Sequence, residues 1–111
     1  MFDEVIGEKT LAEALNRYEC GDFSGALKLA WDALEDLRGQ NRARAVLIIS
    51  RSHYAMAILG DPAQKEYNLR EAVRALRHAQ MHRCDGKTRK DLRYLCKQLN
   101  RTEGVEKITC R

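Results

Sequence analysis

Apolar residues recur along this chain with a helical period, in five blocks separated by short polar or glycine-bearing breaks. Leu11, Ala14, Leu15 and Tyr18 fall at i, i+3, i+4 and i+7, one face of a helix. Thr10 with Glu13 reads as a capping box, so that helix is predicted to begin near Leu11 and to stop at Gly21. Phe2 to Ile6 predicts a short apolar turn ahead of it. Asp22 is placed to cap a second helix whose apolar side carries Phe23, Ala26, Leu27, Ala30, Trp31, Ala33, Leu34 and Leu37. That stripe is broad enough to be covered on two sides, and Trp31, its largest member, is predicted to anchor the core.

Gly39-Gln40-Asn41 forms the next break, and a third helix is predicted over 42–59. Asp61 followed by Pro62 starts a fourth, since proline at the first helical position loses no hydrogen bond; it is predicted to end near His82. Thr88 with Asp91 reads as a further capping box opening a fifth helix through about Asn100, which buries Leu92, Leu95, Cys96 and Leu99. Gly104 follows, and residues 105–111 read as a flexible tail beyond a single domain of residues 1–104.

Two of the breaks repeat. Gly21-Asp22-Phe23 and Gly60-Asp61-Pro62 lie 39 positions apart, and their flanks agree in kind: Ala30 on Leu69, Ala33 on Ala72, Leu34 on Val73, Leu15 on Tyr54. Self-similarity at this spacing marks a stacked helix–turn–helix repeat.

Composition changes this picture little; charge changes it more. One proline, few aromatics and an absence of alternating β-branched runs agree with an all-helical fold. Net charge is +4, but residues 1–37 carry −6 and residues 38–111 carry +10. The basic half is a footprint for an acidic partner, nucleic acid or protein, or simply a solvated face. The start, Met1-Phe2-Asp3-Glu4, lacks a basic secretory n-region, and the longest aliphatic run, Ala45 to Ile49, is too short to cross a bilayer. Cysteines 20, 84, 96 and 110 form no CxxC pair and are expected to be reduced thiols of a cytoplasmic protein, Cys20 and Cys96 buried and Cys110 in the tail.

The residues of the two corners, with Ala26, Ala30, Ala33 and Leu34 and then Leu69, Ala72 and Val73, resemble the tetratricopeptide repeat family over about residues 8–82. The likeness implies five antiparallel helices: two repeats and a C-terminal capping helix. It also implies a binding scaffold whose groove is lined by the first helix of each pair. That geometry places Leu11, Leu15, Tyr18, Tyr54 and Ile58 in the groove, with Arg89, Arg93 and Lys97 at its cationic end. Those three basic residues share a stripe at i, i+4 and i+8 and otherwise read as the wet face of a terminal helix. Two repeats are few for a continuous core, so a second copy covering the groove, a homodimer, is the alternative occupant.

Candidate chemistry is sparse. Arg77-His78-Ala79-Gln80-Met81-His82 is similar to the short motif of the HEPN ribonucleases, which would give His82 proton transfer and Arg77 phosphate binding. The same residues suit a helix C-terminus, where positive charge meets the dipole. His78, His82, Cys84 and Cys96 lack the paired spacing of a structural zinc site. A stripe of Arg70, Arg74 and Arg77, with Arg83, Lys87, Arg89, Lys90 and Arg93, would track a phosphate backbone only by salt-sensitive attraction. The sequence therefore predicts a non-enzymatic adaptor with no metal or cofactor, binding an acidic or amphipathic segment of a protein. A ribonuclease built on Arg77 and His82, and a basic nucleic-acid-binding subunit, are the alternatives.

Overall fold

The computed structural model describes residues 3–111. Five helices follow one another: α1 (Glu4–Glu19), α2 (Phe23–Leu34), α3 (Gly39–Leu59), α4 (Lys65–Gln80) and α5 (Gly86–Asn100), with a 3₁₀ turn, Pro62–Gln64, ahead of α4. The described residues contain no strand. No helix among them is long and apolar enough to cross a membrane.

The helix starts differ from those the capping boxes predicted. α1 begins at Glu4 because Asp3 accepts the Ile6 amide, and the Thr10 hydroxyl instead donates back to the Ile6 carbonyl inside the helix. Glu4–Ile6 of the predicted apolar turn is thus the first turn of α1; Phe2 lies outside the described residues. Likewise α5 is capped by Asp85, which accepts the Thr88 amide at 2.7 Å, so it starts before Thr88 rather than at it. In both cases an aspartate further upstream outcompetes the Thr-x-x-acid pattern for the free amides.

Consecutive helices pack closely: α1 on α2, α2 on α3, and above all α3 on α4. α1 also touches α3, and α3 touches α5, so these three form one row with α2 and α4 packed across it. The closest approaches are made by alanines. Ala14, Ala26, Ala30, Ala72 and Ala79 have no exposed surface. This explains the largest departure in the core: Trp31 is 54% exposed. α2 turns its alanine stripe inward to let its neighbours come close, which leaves the indole one residue round the helix and outside. The α3–α4 seam also holds two buried polar ties. The Ser50 hydroxyl donates to the Ala72 carbonyl at 2.6 Å, and His53 Nδ1 donates to Asn68 Oδ1 at 2.9 Å. Each satisfies a group whose burial would otherwise cost about 1–3 kcal/mol.

Residues 105–111 are packed on α5 rather than free. Ile108 is buried; the Asn100 side chain donates to its carbonyl at 2.8 Å and accepts its amide at 2.7 Å. Cys96 and Cys110 form a disulfide, while Cys20 and Cys84 are free, Cys20 exposed. The four reduced thiols expected from the spacing are therefore corrected to one bonded pair and two thiols, and Cys20 is not a core residue. Spacing gave no sign of the pair because the two sulfurs meet only when the chain after Gly104 doubles back along α5.

Candidate functional site: a groove across α1, α3 and α5

Two contacts set how α1 lies beside α3. Asn41 Nδ2 donates to Glu8 Oε1 at 3.2 Å, and the Arg51 guanidinium stands 5.9 Å from the centre of the Tyr18 ring. Both join residues 33 positions apart, so α1 and α3 run in the same direction in a fixed register. The 39-position overlay of the corners is thus not the register of neighbours. α3 has 21 residues against 16 in α1, and its last turn, Ala55–Leu59, projects past the Gly21 corner by about 8 Å. On the other flank Arg51 pairs with Asp91 at 3.5 Å, and Arg44 pairs with Asp85 and donates to Thr88 Oγ1 at 3.5 Å. α5 therefore also runs with α3.

Between α1 and α5, over the floor made by α3, lies a groove of about 1170 Å³. Its two ends differ. At the amino-terminal ends of the three helices it is polar, with Glu8, Gln40, Asn41, Arg44, Lys87 and Thr88. At the opposite end it is apolar, with Leu15, Tyr18, Phe23, Ile58 and Leu59. Ile58 and Leu59, on the projecting turn, are 48% and 73% exposed.

Five of the eight groove residues predicted from sequence, Leu11, Leu15, Tyr18, Tyr54 and Ile58, line this space. Arg89, Arg93 and Lys97 do not. They lie on the far side of α5, where Arg93 Nε donates to the Arg111 carbonyl at 3.4 Å. α5 instead presents Asp91, Tyr94 and Gln98 to the groove. The formal charge of the lining consequently balances, with Glu8, Glu19 and Asp91 against Arg44, Arg51 and Lys87. Arg44 and Arg51 are, moreover, already held by carboxylates of the α5 end and wall. Asp85 is itself pulled down to about 2 by the Thr88 amide and hydroxyl and by Arg44.

The other candidate chemistry is dispersed. Arg77 is exposed and lines a second, smaller groove of about 820 Å³ with Arg70 and Arg74, together with Glu103 and Glu106. Arg70 and Arg74 are paired with Glu66 and Glu71 of their own helix. His82 sits in the turn after α4, its ring 5.2 Å from that of His78 and its Nε2 buried without a hydrogen-bond partner. Burial first, then His78 and Arg42, holds its pKa below the usual histidine range. No hydrogen bond or ring contact joins His82 to Arg77. Among the described residues no group of three or more His, Cys, Asp or Glu is gathered as a metal site, and Cys96 is bonded to Cys110.

Comparison with family models, with curated proteins and with solved structures gave no match.

What sequence reasoning missed is on α3 and α5. Arg44 and Arg51 sit one turn either side of the buried Leu47-Ile48 floor, and their spacing of seven is a helical face. Tyr94 is the one aromatic of α5, three residues after Asp91; together they mark the wall that a search for basic stripes passes over.

Proposed function

We propose that this chain is a non-enzymatic helical binding module that takes an amphipathic helix of a partner protein into the groove across α1, α3 and α5. The observation that carries this reading is the lining of that groove. An apolar end with two residues about half or more exposed, Ile58 and Leu59, passes into a polar end of mixed charge. An unpartnered apolar strip of this kind, rimmed by polar residues, is the usual mark of a docking surface. A helix about 10 Å across suits a trough bounded by two helices that both lean on a third. The charge balance favours an occupant of mixed charge over a strongly acidic tail, because the groove's two arginines already hold carboxylates.

The reading draws further support from the row formed by α1, α3 and α5, which is the layering expected of a tetratricopeptide-like scaffold. A second copy of the chain is the competing occupant. The ribonuclease reading has no comparable support, since Arg77 and His82 face different surroundings.

The test is direct. Leu15→Asp and Ile58→Asp alter partly exposed side chains, so folding should persist by circular dichroism while partner affinity falls about tenfold or more. Retained binding in both variants contradicts the proposal. A mass in light scattering that is dimeric for the wild type and monomeric for both variants would assign the groove to a second copy instead.

A further inference from the structure

α5 is the least secured helix of the five. It packs on α3 and on α4 far more sparingly than α3 packs on α4. Its inner side is held by Leu92, Leu95 and Leu99 and by the ion pairs of Asp85 and Asp91 with α3; its outer side is held by the strap formed by residues 105–111. Asn100 clamps both backbone polar groups of Ile108, Ile108 is buried, and Cys110 is bonded to Cys96, a residue with no exposed surface. The strap reaches α4 as well, where Gln80 Nε2 donates to the Thr109 carbonyl at 3.0 Å. It therefore ties the groove's outer wall to the body of the protein, and its one covalent anchor is a disulfide.

We propose that the Cys96–Cys110 bond is a redox latch that fixes α5 as a wall of the groove. When a dithiol reductant opens it, the strap leaves and α5 loosens, while α1 to α4 stay folded. The regulation of the groove rests on the binding role proposed above; the opening of the latch does not. The two sulfurs are not equivalent. Cys96 is fully buried and Cys110 is half-buried, so an incoming thiolate meets Cys110 first. Its attack forms a mixed disulfide at Cys110, breaks the protein S–S bond and sends the electron pair to Cys96. The Asn100 side-chain amide lies beside both sulfurs, 3.4 Å from Cys110 and 4.0 Å from Cys96, near enough to donate to the Cys96 thiolate as it forms; water then supplies the proton. The reductant's second thiol attacks its own sulfur of the mixed disulfide and releases the Cys110 thiol. Two protein thiols and one oxidised reductant result, and an oxidised dithiol reverses the sequence. The remaining cysteines stand apart from this exchange: burial raises the Cys84 thiol above its ordinary value, and Cys20 caps the end of α1, across the groove from α5.

The experiment is hydrogen exchange read by mass spectrometry on the full chain, with and without dithiothreitol, after the free thiols have been alkylated. Reduction is expected to speed exchange in α5 and the strap by about tenfold or more and to leave α1 to α4 unchanged. A brief exposure to glutathione, quenched in acid, should place the mixed disulfide on Cys110. Cys110→Ser should reproduce the reduced exchange pattern without any reductant. Equal protection of the strap in both states would overturn the proposal, as would loss of protection throughout the chain or glutathione found on Cys96. If the latch opens as described but no partner binds in either state, the binding role fails and the latch stands.

Discussion

The two glycine–aspartate corners look alike in sequence and are built differently. At the first, Gly21 has φ +85° with open space around it, so glycine is needed there for the left-handed conformation. Asp22 then accepts the Gly25 amide at 3.0 Å and pairs with Arg17 at 3.2 Å, stapling the end of α1 to the start of α2. At the second, Gly60 has φ −97°, which any residue can adopt, but a Cβ there would come within 2.5 Å of the Met56 carbonyl oxygen. Its glycine is required for space. The Asp61 side chain accepts the Ala63 amide and its carbonyl accepts the Gln64 amide, which opens a 3₁₀ turn before α4 begins. One corner closes tightly on a short helix; the other lets α3 run on. That difference in length exposes Ile58 and Leu59 and gives the groove its apolar end.

The comparison can be broken at each glycine. Gly60→Ala forces a side chain against backbone and should cost about 3 kcal/mol in urea unfolding, the upper part of the overpacking range. Gly21→Ala should cost less, about 1–2 kcal/mol, from the left-handed backbone alone. Gly21→Asn should recover most of that loss because asparagine tolerates positive φ, whereas Gly60→Asn should be no better than alanine. Equal behaviour of asparagine at both sites would erase the distinction drawn here.

A smaller effect sharpens it at the aspartates. Asp22→Ala removes a cap and an ion pair at once and should lower the melting temperature more than Asp61→Ala, which removes one exposed cap bond. The carboxyl of Asp22 is held below its ordinary range first by the Gly25 amide and then by Arg17. A depressed carboxylate stabilises the fold above the unfolded pKa, near 4, and loses that contribution as pH falls through the folded value. For Asp85 the loss should run from about pH 4 down to about 2. Asp22→Asn and Asp85→Asn should each flatten the acid limb of the stability curve measured between those limits.

Much of the architecture was legible because helices announce themselves locally. The spacing of Leu11, Ala14 and Tyr18, and the Asp-Pro start at 61–62, needed no knowledge of distant residues. The groove's α1 and α3 lining was legible for the same reason, since Leu11, Leu15, Tyr54 and Ile58 sit on faces that periodicity defines. What failed depended on which face met which neighbour. The rotation of α5 is set by its ion pairs with α3 on one side and by the strap and disulfide on the other, so the stripe of Arg89, Arg93 and Lys97 could not be assigned to a side from α5 alone. The exposure of Trp31 followed from an inward alanine stripe, where close approach outweighed the burial of the larger ring. The register of α1 against α3 came from Glu8 with Asn41 and Tyr18 with Arg51, pairs that an overlay of corners sets six positions out of line.

The central claim is that the groove floored by α3 receives a helix from another protein. Replacing Ile58 by a photoreactive benzoylphenylalanine, irradiating the protein in extract from its native cells and sequencing the cross-linked peptide tests it most directly. A cross-link to an amphipathic helical segment of a different protein, lost when Leu15 is also changed to Asp, is the predicted result. A cross-link that survives that change, one to nucleic acid, or none above the level given by a probe at exposed Glu106 would contradict it.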